Sequence, residues 1–155
     1  MVSADYIVGL TDGEGCFYVN VRNRNPQWRP KVETHFYIKL KEDNKALLEG
    51  VKEFFDCGAV YFQKENRPNH PSCYRFEINS HKDVLRVVIP FFEQHPLQGT
   101  KQKDFVIFRK VVLAIEKREH TTKGGLEYIA KLKLQMKENR TRWMREIRLS
   151  SGEAK

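Results

Sequence analysis

From Cys16 the chain alternates strictly. Phe17, Val19 and Val21 take one parity, and Cys16, Tyr18, Asn20, Arg22 and Arg24 take the other. Residues 31–40 repeat the pattern, with Val32, Thr34, Phe36, Ile38 and Leu40 opposed to Lys31, Glu33, His35, Tyr37 and Lys39. A period of two is that of a β-strand, whose successive side chains point to opposite faces. Apolar residues on one parity alone call for an antiparallel sheet with one face buried and one open. The open face is basic and aromatic. A twisted sheet of that kind can lie in the DNA major groove, which admits a two-stranded ribbon.

The remaining segments supply the cover. Ser3 and Asp5 are N-cap candidates for a helix over about 4–12, with Ile7, Leu10 and Thr11 on one side. Residues 23–30 are a polar, proline-containing connection. Asp43 or Asn44 can cap a helix over about 44–56. Residues 57–79 read as two strands around a Pro/Asn loop, with Tyr61, Gln63, Arg75 and Glu77 on the polar side. Ser80-His-Lys-Asp83 resembles a capping box opening a helix kinked at Pro90. Thr100 can cap a long helix from Lys101 to about Arg118. A final helix spans about 125–138 and a basic tail occupies about 139–155. The order is α-β-β-α-β-β-α-α-α, an α+β domain covering 1–155 with helices on one sheet face.

Residues 1–100 carry equal numbers of basic and acidic side chains, and residues 101–148 carry the chain's whole excess of +8. Positive charge confined to particular elements favours a polyanionic partner over a uniformly solvated surface. Three cysteines without paired spacing argue against a disulfide framework and for a reducing, intracellular setting. His70 and Cys73 lack a second metal-like pair, which argues against zinc. No membrane span or signal peptide is visible.

The chemistry concentrates in residues 6–19, YIVGLTDGEGCFYV. Asp12 and Glu14 sit at the C-terminal end of the first helix, where the helix dipole opposes acids. Gly9 and Gly13 are four apart on one helix face, a spacing that lets two backbones approach closely. Two copies of this helix packed at those glycines would bring their terminal acids together. Paired carboxylates and phosphate oxygens suit Mg²⁺, which takes hard oxygen ligands, and a divalent ion between carboxylates and a phosphodiester is the apparatus of metal-assisted hydrolysis.

Ile7-Val-Gly-Leu-Thr-Asp-Gly-Glu-Gly15 resembles the motif of the LAGLIDADG homing endonucleases, and the segments VETHFYIKLKEDNKALLEGVKEFFDCGAVYFQ, YRFEINSHKDVLRVVIPFFEQHPLQGTKQKDFVIFRKVV and KREHTTKGGLEYIAKLK resemble the body of that family. The resemblance implies site-specific double-strand cleavage of DNA with Mg²⁺, which Ca²⁺ or Mn²⁺ can replace in the site, at a long, near-palindromic intron or intein insertion site. It implies Glu14 as the catalytic metal ligand, joined by the Gly13 carbonyl, and Asp12 as a structural acid. Lys101, with Lys103 as runner-up, would support the phosphate or the water network. A single motif implies a homodimer meeting through Ile7, Gly9, Leu10, Asp12 and Gly13; an isolated half of a two-motif enzyme is the alternative. Double-stranded DNA would meet Asn20, Arg22, Arg24, Lys31, His35, Tyr37, Lys39, Tyr61, Gln63, Arg75 and Glu77. The setting would be a bacterial or archaeal cytoplasm, or an organelle.

Two departures stand out. Leu40 occupies a position where many members carry Gln, and Val8 replaces the small Ala of the motif. Leu40 keeps a second reading open, a cleavage-deficient RNA-splicing maturase or DNA-binding regulator of the same fold. A third is a basic ribosome-associated domain, which would bind without sequence preference and in a salt-sensitive way.

Overall fold

The computed structural model describes residues 1–22 and 30–150, with side chains through residue 139. Helix α1 (Ala4–Glu14) runs directly into β1 (Gly15–Arg22), followed by β2 (Lys31–Lys41), α2 (Lys45–Phe55), β3 (Ala59–Gln63) and β4 (Cys73–Ile78). Helix α3 (His81–Asp83), a π turn (Val84–Val88), α4 (Ile89–Gln94), α5 (Lys101–Glu116) and α6 (Lys123–Ser150) complete the chain. The strands form one antiparallel sheet in the order β1-β2-β4-β3. This is the α+β architecture that the two alternating runs require.

The register makes the alternation physical. Phe17 lies opposite Phe36, Phe36 opposite Ile78, and Ile38 opposite Phe76, all on the helix-covered side. The Phe17 ring centroid lies 5.4 Å from that of Phe36 on β2, 5.3 Å from Phe92 on α4 and 5.3 Å from Phe108 on α5. Phe17, Phe36, Phe92 and Phe108 are fully buried. Each such side chain contributes roughly 1.5–3 kcal/mol by leaving water, and aromatic pairs add about 0.5–1.5 kcal/mol. This cluster clamps the helix layer beneath the centre of β1 and β2. Among the described residues no element covers the opposite face.

Local chemistry explains where elements stop. Ser3 caps α1 by accepting from the Tyr6 N–H at 3.2 Å. Helix α2 ends through Asp56 (φ 53°) and Gly58 (φ +84°). A Cβ at Gly58 would lie 2.7 Å from the Glu77 carbonyl, so only glycine lets β3 start this close to β4.

Three elements differ from the sequence expectation. Helix α1 extends to Glu14, because the Gly15 N–H closes onto the Thr11 carbonyl. Both acids therefore belong to the last turn. The helix expected after Ser80 is interrupted at Val84–Val88, where the Ile89 N–H reaches back five residues to the Val84 carbonyl. Pro90 has no N–H to continue the regular ladder, and the wider turn absorbs the break. Helix α6 does not end near 138 but continues to Ser150, through a stretch free of Gly and Pro. Its buried Ile129, Leu132 and Met136 fall at helical spacing, on the side packed against α5. The connection 23–29, and with it Arg24, lies outside the described residues. No helix among the described residues is long and apolar enough to cross a membrane.

Candidate active site and nucleic-acid interface

The site begins at the helix-to-strand junction. A Cβ on Gly15 would stand 2.6 Å from the Thr11 methyl and 2.9 Å from the Thr11 carbonyl oxygen, so the chain can leave α1 this tightly only through glycine. The same Thr11 carbonyl accepts from Lys101 Nζ at 3.2 Å. Lys101 thus caps the carbonyl end of α1 from the first turn of α5, a favourable place for a cation. Burial pushes its ammonium below the usual lysine range, while the nearby Cys16 thiol and the Glu14, Asp12 and Asp104 carboxylates pull it back up. A half-buried cation among acids, at the mouth of a helix end, suits contact with a phosphate.

The two acids have different employment. Asp12 is committed: Oδ2 accepts from the Gln98 N–H at 2.8 Å and Oδ1 from the Gly99 N–H at 3.1 Å. It therefore fastens the turn that launches α5 and carries Lys101. Glu14 is exposed, and no described residue bonds to its carboxylate. Gly13 lies beside it in the last turn, where helix carbonyls lack intrahelical donors. The donor set at this end is hard oxygen, the kind Mg²⁺ takes. Among the described residues, however, no group of three His, Cys, Asp or Glu side chains could hold a metal ion. Among the described residues, Glu14 is the one carboxylate at this helix end without a bond.

The expected partner-facing residues divide. Gly9 and Gly13 are exposed, and a Cβ on either would meet nothing within 4 Å. With the exposed Tyr6 they form an open strip along α1. Leu10 is half-buried against the core. Ile7 must be removed from the set: it is 0% exposed within a single chain, because the side of α1 facing the sheet carries Ile7, Val8 and Thr11. Asp12 points to the 98–99 turn.

The second surface is the open sheet face. Register places Lys39, Arg75 and Tyr61 in one cross-strand row and Cys16, Tyr37 and Glu77 in the next. Asn20, Arg22, Lys31, His35 and Gln63 lie on the same face, as their parity requires. Several are already organised. Glu33 holds Arg22 at 3.2 Å and Lys31 at 3.3 Å, and the hydrogen bond from Lys31 and the charge of Arg22 keep its carboxyl below the usual range against burial, which raises it. The Arg75 guanidinium stacks over the Tyr37 ring, 3.8 Å from its centroid. Glu77 differs from the expected free reader: it is buried and bonded to His35 and Tyr61. Sequence parity also put Tyr18 on the open face without assigning it a role, and it is exposed.

Replacing Asp12 with Ala removes the acceptor of two backbone donors that water can then reach. The expected result is a loss of about 1 kcal/mol of stability, faster hydrogen exchange at the Gln98 and Gly99 amides, and a weakened site through displacement of Lys101. A melting curve and amide exchange check this; unchanged exchange at 98 and 99 would remove Asp12 from its fastening role.

The sequence profile described as LAGLIDADG endonuclease matches residues 7–112. The chain belongs to the LAGLIDADG endonuclease family. Among solved structures, the homing endonuclease I-TnaI is 36% identical with a TM-score of 0.76, matching 95% of this chain and 99% of that one. I-SmaMI, described as bound to an uncleaved DNA target in the presence of calcium ions, is 30% identical with a TM-score of 0.78 over 86% of this chain and 44% of its own. The "Probable intron-encoded endonuclease 2" of Neurospora crassa is 30% identical over 129 residues, 83% of this chain but 26% of that protein. The LAGLIDADG chain therefore spans about a quarter of the length of that curated relative. The motif that gives the family its name is the α1–Gly15 junction described above.

Proposed function

We propose that this LAGLIDADG chain is a site-specific DNA endonuclease that makes double-strand breaks at a long, near-palindromic intron or intein insertion site. It acts as a homodimer and depends on Mg²⁺, with Ca²⁺ or Mn²⁺ able to occupy the site. The observation that carries the reading is the division of labour at the end of α1. Asp12 is spent on the 98–99 turn, whereas Glu14 is exposed, bonded to no described residue, beside the bare Gly9–Gly13 strip.

Glu14, with the Gly13 carbonyl, would hold the divalent ion, and a second copy across the strip would supply the second carboxylate. When bound, such an ion supplies a Lewis acid for the phosphodiester and lowers the pKa of water. Lys101 sets a positive charge beside Glu14 where a phosphate enters. The open sheet seats the duplex: its cations meet phosphates or guanine, and its Asn and Gln side chains can pair with adenine. The protein works in the intracellular or organellar compartment that holds the intron-bearing DNA, in keeping with the name of the Neurospora crassa relative.

Selection of cut sites from a randomised plasmid library tests this. With Mg²⁺ a defined near-palindromic family of sites should be cleaved. Chelation should abolish cutting while leaving duplex binding, and Mg²⁺ or Mn²⁺ should restore it. Cleavage undiminished by chelator would overturn the reading.

Leu40 favours one alternative, a cleavage-deficient maturase or regulator. It pairs with Tyr74 on the helix side of the sheet, packs against the core and offers no hydrogen bond. That reading predicts intron RNA or operator DNA binding unaffected by chelator, and no cutting under any metal.

A further inference from the structure

Glu77 lies on the open sheet face yet is 7% exposed, and both of its carboxylate oxygens are engaged from opposite sides. Oε1 accepts from His35 Nδ1 at 2.7 Å, and Oε2 accepts from the Tyr61 hydroxyl. A carboxylate accepts only. Each neighbour must therefore turn its proton inward: His35 commits Nδ1–H, and Tyr61 commits its O–H. A neutral His35 then presents the Nε2 lone pair to the outside, while the Tyr61 phenol oxygen is hydrogen-bonded by Arg75. No described residue bonds to Nε2, and the His35 side chain is 23% exposed. Burial and the bond to the Glu77 carboxylate push the Tyr61 phenol up, against the hydrogen bond and charge of Arg75, which lower it, and the phenol stays protonated and donates inward.

The surroundings have the opposite chemistry. Arg75 stacks on Tyr37, Lys39 is exposed in the adjacent row, and Glu33 pins Arg22 and Lys31 on the other side of His35. Across the strand pair Tyr18 faces His35, ring centroids 5.6 Å apart. The open face is thus a field of donors with one acceptor, His35 Nε2, set among them.

We propose that Glu77 is a positioning residue that fixes His35 in the Nδ1–H tautomer, so that Nε2 selects a base with an exocyclic amino group, adenine or cytosine, at one position of each half-site. In the major groove each base pair offers this amino donor from one strand only, adenine N6 in A·T and cytosine N4 in G·C. An acceptor at a fixed place therefore distinguishes A from T and C from G at that position. This rests on the reading of the open face as the DNA surface, and the experiment separates the two.

The first measurement needs no DNA. Long-range ¹H–¹⁵N correlation spectra of the 155-residue chain at pH 7.5 should show His35 protonated at Nδ1 and bare at Nε2. Glu77→Gln, whose amide can donate to Nδ1, should move the population toward the Nε2–H tautomer. The second is a binding profile over randomised duplexes. The wild type should prefer A or C over T or G by about tenfold at one position per half-site. His35→Ala should flatten that position to within about twofold and leave the others unchanged, and Glu77→Gln should shift it toward G or T. His35 is partly exposed, so its truncation tests the assignment even where Glu77→Gln folds poorly. An Nε2–H tautomer or an imidazolium in the wild type overturns the proposal, as does a His35→Ala profile identical to wild type. A wild-type protein that binds no duplex overturns the DNA reading itself and this assignment with it.

Discussion

Replacing Glu14 with Gln should lower strand cleavage by about 10³-fold or more while leaving affinity for the uncut duplex within a few-fold. The size follows from the loss of one anionic ligand to a divalent ion that carries several kcal/mol of transition-state stabilisation, each 1.4 kcal/mol being a factor of ten. Gln keeps the shape and one carbonyl oxygen but cannot supply the negative charge. The fold should be untouched, because the Glu14 carboxylate makes no bond to any described residue and is exposed. The melting temperature should stay within a degree or two, which separates this variant from one that merely unfolds. Cleavage and duplex binding measured side by side with Mg²⁺ decide the matter, and full cutting by the Gln variant would sink the assignment of Glu14.

Gly9→Leu should have a comparable effect by another route. In the single chain a Cβ at Gly9 meets nothing within 4 Å, so the monomer has room for the larger side chain. Removing a glycine from the middle of a helix should stabilise α1 in isolation by roughly 0.5–1 kcal/mol. Between two copies of α1 the same side chain intrudes where the small residues allow close backbone approach. The expected outcome combines a monomer of equal or higher melting temperature with a dimer constant weakened about 100-fold or more. Cleavage at nanomolar protein should collapse accordingly. Sedimentation velocity and cutting assays across a concentration series report both halves. A Gly9→Leu protein that remains dimeric and active would place the two-fold contact elsewhere.

The sheet was legible from the alternation of residues in one respect: which side of β1 and β2 meets the helices. The Phe17, Val19 and Val21 parity and the Phe36 and Ile38 parity hold without exception, since a one-residue slip would reverse every side chain. Parity does not say what neighbouring strands bring alongside, and that is why Glu77 read as a free contact residue when it is a buried acceptor shared by His35 and Tyr61. Ile7 read as partner-facing for a related reason. The motif gives a helix and its spacing, but which stripe turns to the core depends on where the sheet lies relative to the helix axis. The employment of Asp12 was beyond reach of local pattern, because its partners are the backbone amides of Gln98 and Gly99. The same holds for the length of α6, whose polar second half carries no stop signal and no apolar stripe strong enough to announce itself.

The bond from Gly99 to Asp12 spans 87 residues, and that from Lys101 to Thr11 spans 90. Contacts of such long range repay their loop closure late in folding. During synthesis the acidic end of α1 emerges 87 residues before the turn that frames it, and the lysine follows that turn. A nascent or truncated chain therefore carries the acid without the frame that aims it. On the proposed reading, the order of synthesis alone therefore keeps Glu14 without its neighbouring cation until residues 98–101 have been added, a delay written into the separation of the two segments along the chain.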